Sequence, residues 1–421
     1  MSLLEELEWR GLVAQYTNRE LLNEAIESKR LRVYIGFDPT APSLHHGNLV
    51  QLILLRHLQD YGNTPVVVVG GATGLIGDPR QSGERKMNEV KVVHGWLENL
   101  REQFRKFLEF DESVPNHALM VNNYDWTRDL DVLTFLRDVG KHFRVNNMLA
   151  KETVAMRLNS QDGISFTEFS YQILQSYDYL VLHQKYGVNL QCGGNDQWGN
   201  LTAGVEFIRK VTGDTVSALT TPIIAKSDGT KFGKSEGGAI WLDPQLMSPF
   251  SFYQFWLNIE DTEVVQLLKV FTFIDRSEIE ELALLTKEHP ERREAQKRLA
   301  ESVTELVHGK LALTKAQAAS EVLFAKADPR ALDQETLAAI AQEVRTVPVQ
   351  IDQPIAQLFA DAQLVSSLSD FRRTISSNGL SLNNQTLNSA EDRVNENQLL
   401  FGRYMLLKKG KKNYALAKVE K

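Results

Sequence analysis

The sequence predicts an α/β fold built on a doubly wound parallel sheet within residues 1–240. Three observations carry this. Residues 31–37 form a short apolar run ending in Asp38-Pro39, which reads as a strand. Residues 47–61 place Leu49, Leu52, Ile53, Leu55 and Leu58 at helical spacing. Residues 65–69 are a valine run closed by Gly70-Gly71, the pattern of a parallel strand buried on both faces. Strand, helix and strand with glycines at the strand ends is the unit of a doubly wound sheet, and ligands bind at the carboxyl ends of its strands. Asp38, His45 and Asp78 would fall at that edge.

The chain then changes character. Residues 245–325 read as an all-helical domain: Pro249 opens a helix whose Phe252, Phe255 and Trp256 suggest a buried face. Ser277 and Glu280 fit a capping box, and Pro290 opens a charged helical pattern to His308. Residues 326–354 carry Pro329, Pro348 and Pro354 and read as a linker, although 335–345 is compatible with a helix. Residues 355–421 form a small α+β unit. Its end carries Arg403, Lys408, Lys409, Lys411, Lys412, Lys418 and Lys421 against Glu420, a local charge opposite in sign to that of the chain.

Composition bounds the function. The 421 residues suit two or three domains, and 43% hydrophobic with 24% charged residues is the balance of a globular enzyme. No apolar run approaches the roughly 18–20 residues that span a bilayer, and the start is acidic and amphipathic, unlike a secretory signal. Cys192 is the sole cysteine, which excludes intramolecular disulfides and cysteine zinc clusters and fits a reducing cytoplasm. A net charge of −7 argues against a uniformly basic nucleic-acid binder and leaves room for local basic patches.

Two segments carry phosphate chemistry. His45-His46-Gly47-Asn48 offers an imidazole, a glycine and a carboxamide at a helix start, where backbone amides attract phosphate. Lys231-Phe232-Gly233-Lys234-Ser235 offers two lysines among glycines. Taken alone, each is more often a solvated polar loop, at roughly nine in ten for a His-x-Gly-Asn of this kind, and neither is a Walker-type phosphate loop. A third segment places Tyr171, Gln175 and Asp178 on one helical face; alone, it reads equally as the wet side of a surface helix.

In this order, and with Tyr34-Ile35-Gly36-Phe37-Asp38-Pro39-Thr40, Gly70-Gly71-Ala72-Thr73-Gly74-Leu75-Ile76-Gly77-Asp78-Pro79 and Gly193-Gly194-Asn195-Asp196-Gln197-Trp198-Gly199-Asn200, the chain resembles the bacterial tyrosyl-tRNA synthetases, class I enzymes with a Rossmann-like catalytic domain. The resemblance runs nearly end to end and implies roles. Tyr34 and Asp178 would hydrogen-bond the substrate phenol. Asp78, Tyr171 and Gln175 would hold its ammonium group, with Asn123 behind them, and Gln197 would lie near its carboxylate. Gly36, Asp38, Gly47, Gly194 and Asp196 would meet the adenylate. Thr40, His45, Asn48, Lys231, Lys234 and Ser235 would serve ATP, with Arg85 approaching the phosphates. Asn48 stands where the name-giving motif has histidine, Phe232-Gly233 where the broad class has Met-Ser, and Ile35 is apolar.

The implied activity is tyrosine–tRNA ligation with ATP as substrate and Mg²⁺ accompanying it, without a structural metal or an editing domain. The implied partners are tRNA(Tyr) and a second copy of the chain, paired through an insertion at about 115–165. Leu368-Ser369-Asp370-Phe371-Arg372-Arg373-Thr374-Ile375 and Gly379-Leu380-Ser381-Leu382-Asn383 resemble, more loosely, a small RNA-binding domain first named in a ribosomal protein. There Arg372 and Arg373, with Lys408, Lys409, Lys411 and Lys412, would meet tRNA phosphates, and Gly379 would end the helix. The competing readings are a tryptophan-specific relative, an RNA-binding protein on an inactive synthetase scaffold, and a nucleotidyltransferase on the same sheet. Tyr34 with Asp178 and the basic tail weigh against the first. Intact His45, Asp178, Lys231 and Lys234 weigh against the second. The helical domain and the tail weigh against the third.

Overall fold

A computed structural model describes residues 2–79, 90–161, 163–225, 232, 239–325, 327–410 and 413–419. The chain divides into two compact units, Met1–Asp243 with Glu260–Ala295, and Pro244–Ile259 with Gln296–Lys421.

The first unit is built on a six-stranded sheet. Its strands are β1 (Gln15–Tyr16), β2 (Arg32–Phe37), β3 (Thr64–Val69), β4 (Leu119–Asn122), β5 (Leu190–Gly194) and β6 (Ser217–Thr221). They lie in the order β1-β6-β5-β2-β3-β4, all parallel except the antiparallel edge strand β1. The chain winds outward from β2 through β3 to β4, then from β5 to β6 on the other side. The order therefore reverses between β2 and β5, the switch point at which doubly wound sheets bind ligands. The valine run of β3 is buried from Pro65 to Val69. Helix His46–Asp60 buries Leu49, Leu52, Ile53, Leu55 and Leu58, the residues whose spacing predicted it. Helix Phe166–Tyr186 starts at Ser165, whose hydroxyl accepts from the Glu168 N–H, and ends at Gly187 in the left-handed region (φ 67°).

Helices Asp261–Phe271 and Arg276–Glu288 also belong to this unit, so the helical stretch expected at 245–325 is shared between the two units. Helix Arg276–Glu288 begins one residue before the expected cap: Asp275 takes the N-cap position and Ser277 lies inside the first turn. The guanidinium of Arg276 bonds Glu280 at 2.7 Å and lies 4.8 Å from the centre of the Trp9 ring. Pro290 opens a single 3-10 turn, and the helix to His308 starts at Glu294, after Arg293 in the left-handed region.

The second unit holds helices Pro249–Leu257, Lys310–Ser320 and Gln334–Glu343 and a five-stranded sheet. Its strands are β7 (Thr346–Val349), β8 (Leu380–Leu382), β9 (Gln385–Thr386), β10 (Tyr404–Lys409) and β11 (Asn413–Val419), in the order β7-β11-β10-β8-β9. Alternation in β10 and β11 feeds two cores. Met405, Leu407, Ala415 and Ala417 pack with Phe359 and Phe371, while Tyr404, Leu406 and Leu416 pack with Leu337 and Ile340. The expected linker at 326–354 thus supplies a core helix and an edge strand, β7, parallel to β11. Its prolines punctuate without unfolding it: Pro348 sits in the edge strand, where a missing N–H is tolerated, and Pro354 precedes helix Ile355–Asp361. The residue with positive φ after helix Leu368–Ser376 is Asn378 (φ 54°), not Gly379.

Candidate active site

At the switch point, β2 presents Tyr34 and Gly36. Gly36 is exposed within an otherwise buried stretch, and a Cβ there would meet nothing within 4 Å, so a groove opens over the strand. Gly70, just past β3, lets Asp38 lie close: a Cβ at Gly70 would fall 2.0 Å from Asp38 Oδ1. A run of hydrogen bonds then crosses the strand ends. Tyr171 donates to Asp38 Oδ2 at 2.8 Å and Thr73 to Asp38 Oδ1 at 2.6 Å. Asn123 donates to Thr73 Oγ1 at 2.8 Å and to Asp178 Oδ2 at 2.9 Å, and Trp126 Nε1 donates to Asp178 Oδ1 at 2.8 Å. Burial lifts the Asp178 carboxyl to about 7 against these two donors, which favour its charged form. The same burial, with the Asp178 charge, pushes the Tyr34 phenol well above its ordinary range.

Against this network stand polar atoms with no hydrogen-bond partner. The Tyr34 hydroxyl, the Gln175 carbonyl oxygen and both ends of the Gln191 amide are buried and unsatisfied. Gln191 on β5 lies directly beside Tyr34 on β2. Each such group left bare costs about 1–3 kcal/mol, so the cluster is arranged for a ligand that brings hydrogen-bonding groups of its own.

The next groups stand at the start of helix Trp198–Thr212. Asn200 Nδ2 donates to Asp78 Oδ1 at 3.0 Å, and Lys151 Nζ donates to the Gly199 carbonyl. Burial lowers the Lys151 ammonium to about 7, opposed by the charge of Asp78. Asp78 also acts on Tyr171, whose phenol is raised by burial first and then by Asp38 and Asp78. Gly193 and Gly194 end β5 without side chains, and a Cβ would lie 2.8 Å from Gln197 Oε1 at the first and 2.6 Å from Asp196 Oδ1 at the second.

The phosphate segment closes on itself. His45 caps helix His46–Asp60: its Nδ1 accepts from the Gly47 N–H at 3.0 Å, and Asn48 Oδ1 accepts from the His45 N–H at 3.0 Å. An Nδ1 that accepts puts the proton of a neutral ring on Nε2. A Cβ at Gly47 would lie 2.9 Å from His45 Cε1. Thr40 is exposed, its N–H turned back to the Asp38 carbonyl at 2.8 Å.

Residues 27–325 match the family model described as tRNA synthetases class I (W and Y). The chain belongs to this family. Residues 336–417 match a second model, a tyrosine–tRNA ligase SYY-like C-terminal domain. Among the most similar relatives is a tyrosine–tRNA ligase of Kineococcus radiotolerans, 52% identical over 98% of this chain and 97% of that one. Another, from Streptomyces avermitilis, is 51% identical over 99% of each. Among solved structures, a C-terminally truncated mitochondrial tyrosyl-tRNA synthetase of Aspergillus nidulans superposes with a TM-score of 0.68 at 31% identity, covering 77% of this chain and 94% of its own. A tryptophanyl-tRNA synthetase of Encephalitozoon cuniculi shares the fold at 12% identity and a TM-score of 0.54, covering 79% of this chain and 89% of its own.

Within this class I synthetase frame, Tyr34, Gly36, Asp38, Thr40, His45, Gly47, Asn48, Asp78, Tyr171, Gln175, Asp178, Gly194, Asp196 and Gln197 all belong to the first unit. Tyr171 bonds Asp38 and lies within electrostatic reach of Asp78, and Asn123 donates to both Asp178 and Thr73. Lys231, Lys234, Ser235 and Arg85 lie outside the described residues. The sequence reading missed Trp126, Thr73, Gln191 and Lys151. Of these, Gln191 carried a signal as a polar residue between Leu190 and Cys192, and Thr73 lay inside the glycine-bearing segment that runs to Asp78-Pro79.

The basic cluster of the second unit needs correction at Lys408. It is 3% exposed, because β10 is covered on both faces, and so does not offer its ammonium at the surface. Lys409 donates to Asp370 Oδ2 at 3.0 Å and Arg373 to Asp370 Oδ1 at 2.8 Å. The Lys409 bond, with help from the Ser366 backbone and Arg373, holds the Asp370 carboxyl well below its ordinary range. Arg372 is exposed, and Lys411 and Lys412 lie outside the described residues.

Proposed function

We infer that this chain is a tyrosine–tRNA ligase, activating L-tyrosine with ATP and passing it to the terminal adenosine of tRNA(Tyr). The observation that carries the choice of amino acid is the buried, unpartnered Tyr34 hydroxyl within electrostatic reach of the Asp178 carboxylate. A substrate phenol would donate to Asp178 and accept from Tyr34, satisfying both. Phenylalanine would leave both bare. Sites built this way reject the analogue lacking the hydroxyl by about 10⁴–10⁵, a range for which tyrosine-activating enzymes are themselves the reference case.

The ammonium group would take Asp78 as its counter-charge, with the Tyr171 oxygen and the Gln175 carbonyl as further acceptors, and Gln197 would face the carboxylate. That carboxylate is ionised at neutral pH, so its attack on the α-phosphorus needs no general base. The bond to the bridging oxygen breaks, pyrophosphate leaves and tyrosyl-adenylate remains. Catalysis is therefore positioning and charge stabilisation. The groove over Gly36, with Asp38, Gly194 and Asp196 at its edges, would take the adenylate. His45 Nε2, Asn48 Nδ2, Thr40, Lys231, Lys234 and Ser235 would meet the phosphates, with Gly47 giving the backbone room. Mg²⁺ would enter on ATP and offset phosphate charge; His45, Asn48 and Thr40 bring no carboxylate, which suits an ion held by phosphate oxygens and water. The adenosine hydroxyl then attacks the activated carbonyl, releasing AMP and a proton.

The chain would work as a homodimer in the cytoplasm, where tRNA and ATP meet. Val132, Leu133 and Phe166 are 70%, 77% and 76% exposed, with Leu136 and Val145 also exposed nearby in sequence, an apolar concentration that supports pairing through this segment. Among the described residues no helix is long and apolar enough to cross a membrane. Arg372 and Lys409 would contact tRNA phosphates. Pyrophosphate exchange with each of the twenty amino acids tests the activity: tyrosine alone should drive it, and exchange driven by tryptophan, or by none, overturns the reading.

A further inference from the structure

Arg157 lies in the last turn of the short helix Glu152–Leu158 and forms a buried ion pair with Glu168, both side chains being 2% exposed. Its guanidinium holds the Glu168 carboxylate by both arms, Nη1 to Oε1 at 3.1 Å and Nη2 to Oε2 at 2.8 Å. Nε and Nη2 also donate to the Gly163 carbonyl, at 3.1 and 2.9 Å. One side chain therefore grips both the approach to helix Phe166–Tyr186 and its first turn, where Ser165 accepts from the Glu168 N–H at 3.3 Å.

Glu168, Tyr171, Gln175 and Asp178 follow one another at steps of three and four, so they share one face of that helix. Further along, the helix is held at Asp178 by Asn123 and Trp126. Glu168 is the anchor one turn before Tyr171, whose hydroxyl donates to Asp38 Oδ2 at 2.8 Å. The short helix starts at Lys151, whose ammonium donates to the Gly199 carbonyl beside Asn200, the residue that bonds Asp78. It thus spans from the start of the helix carrying Asn200 to the start of the one carrying Tyr171.

Stability does not account for the pair. Taking two ions out of water commonly costs as much as their attraction returns, and well-packed apolar residues do as well or better. What a two-armed pair adds is geometry, because parallel bonds set the distance and plane of both groups.

We propose that Arg157, through Glu168, is a positioning residue for the ammonium group of the substrate: it fixes the helix turn that presents Tyr171 and, four residues on, Gln175. It touches no reacting atom. This rests on the ligase reading above, which tyrosine-driven exchange by the unaltered protein tests separately.

The experiment measures binding of tyrosine, tyramine and desaminotyrosine to the full chain. The first two carry the amino group and the third lacks it. In Arg157→Met, tyrosine and tyramine should bind about tenfold more weakly, the scale of a small misplacement of a binding group. Desaminotyrosine should bind as it does to the unaltered protein, because Asp178 is held separately by Asn123 and Trp126. The KM for ATP should stay. The double variant Arg157→Met with Glu168→Leu leaves no charge unpaired and should recover most of the stability that Arg157→Met loses. Its binding of tyrosine and tyramine should remain weak. Equal weakening of all three ligands, unaltered binding by Arg157→Met, or recovery of tyrosine binding together with stability in the double variant would each overturn the proposal. Should Arg157→Met fail to fold, the double variant carries the same comparison of the three ligands.

Discussion

Beneath the carboxyl end of β2, Asp178 is held by Asn123 and Trp126 while Tyr34, Gln175 and Gln191 keep buried polar atoms without partners. At the start of the following helix, His45 and Asn48 satisfy the backbone through each other. On the function proposed above the two regions would serve one reaction, and they rest in opposite states. The first is fixed from behind and incomplete in front, which makes it selective: a ligand is held there for the groups it supplies. The second is complete by itself, which gives it a defined geometry without a ligand and leaves Asn48 Nδ2 and the helix amides to meet an anion.

The contrast breaks most readily at Asp178. Asp178→Ala should lower kcat/KM for tyrosine on the order of 10²–10³-fold by removing a charged partner from a buried site. The KM for ATP should change little; equal losses in both would mean the phenol contact is misassigned. Stability should move the other way. The folded Asp178 carboxyl, at about 7, lies above its ordinary 3.8. Its contribution is fully present below about pH 4 and lost as pH rises through about 7, at most a few kcal/mol. Asp178→Asn abolishes that loss, so denaturant midpoints should favour the variant over the unaltered protein more at pH 8 than at pH 5.

A smaller effect should come from behind the carboxylate. Trp126→Phe removes the Nε1–H that favours ionised Asp178. The rise of kcat/KM for tyrosine with pH should shift upward by roughly one unit or less, with a loss of up to about fivefold at pH 7. A pH profile that keeps its midpoint would show that Trp126 only fills space. Asn48→Ala tests the other region. Losing the reciprocal cap should cost about 1 kcal/mol of stability and several-fold in kcat/KM for ATP, with the KM for tyrosine unmoved. A variant that raises the KM for tyrosine as well would erase the distinction between the two regions. The smallest effect on activation should come from Arg372→Glu: exchange unaltered, while tRNA charging falls several-fold and becomes less salt-dependent.

Much of the first unit was legible because its signals are local. The valine run of β3, the leucine spacing of helix His46–Asp60 and the glycines ending β5 each lie within one element. Asp38, Tyr171 and Asp178, which the structure joins in one run of hydrogen bonds, each lie in a short motif. Trp126 was not legible, because its bond to Asp178 joins positions 52 apart, and nothing near an indole in the sequence announces a carboxylate partner. The prolines of 326–354 read as breaks in the sequence, yet the segment holds helix Gln334–Glu343 and strand β7. Pro348 occupies an edge strand, and the alternation of Val347 and Val349 gains meaning only once β11 lies beside it. Lys408 differs for a related reason: a run of lysines reads as surface, whereas β10 is buried from Tyr404 to Lys408.

That edge strand has a consequence for synthesis. Thr346–Val349 leaves the ribosome well before Asn413–Val419, and until the later strand emerges the earlier one has no neighbour to pair with. Leu337 and Ile340 likewise wait for Leu406 and Leu416. Assembly of the second unit is therefore governed by its most C-terminal strand. A nascent chain halted short of it should present Val347, Val349, Leu337 and Ile340 as a sticky, protease-sensitive surface, while the sheet of the first unit, whose strands all lie before Asp243, can already be complete.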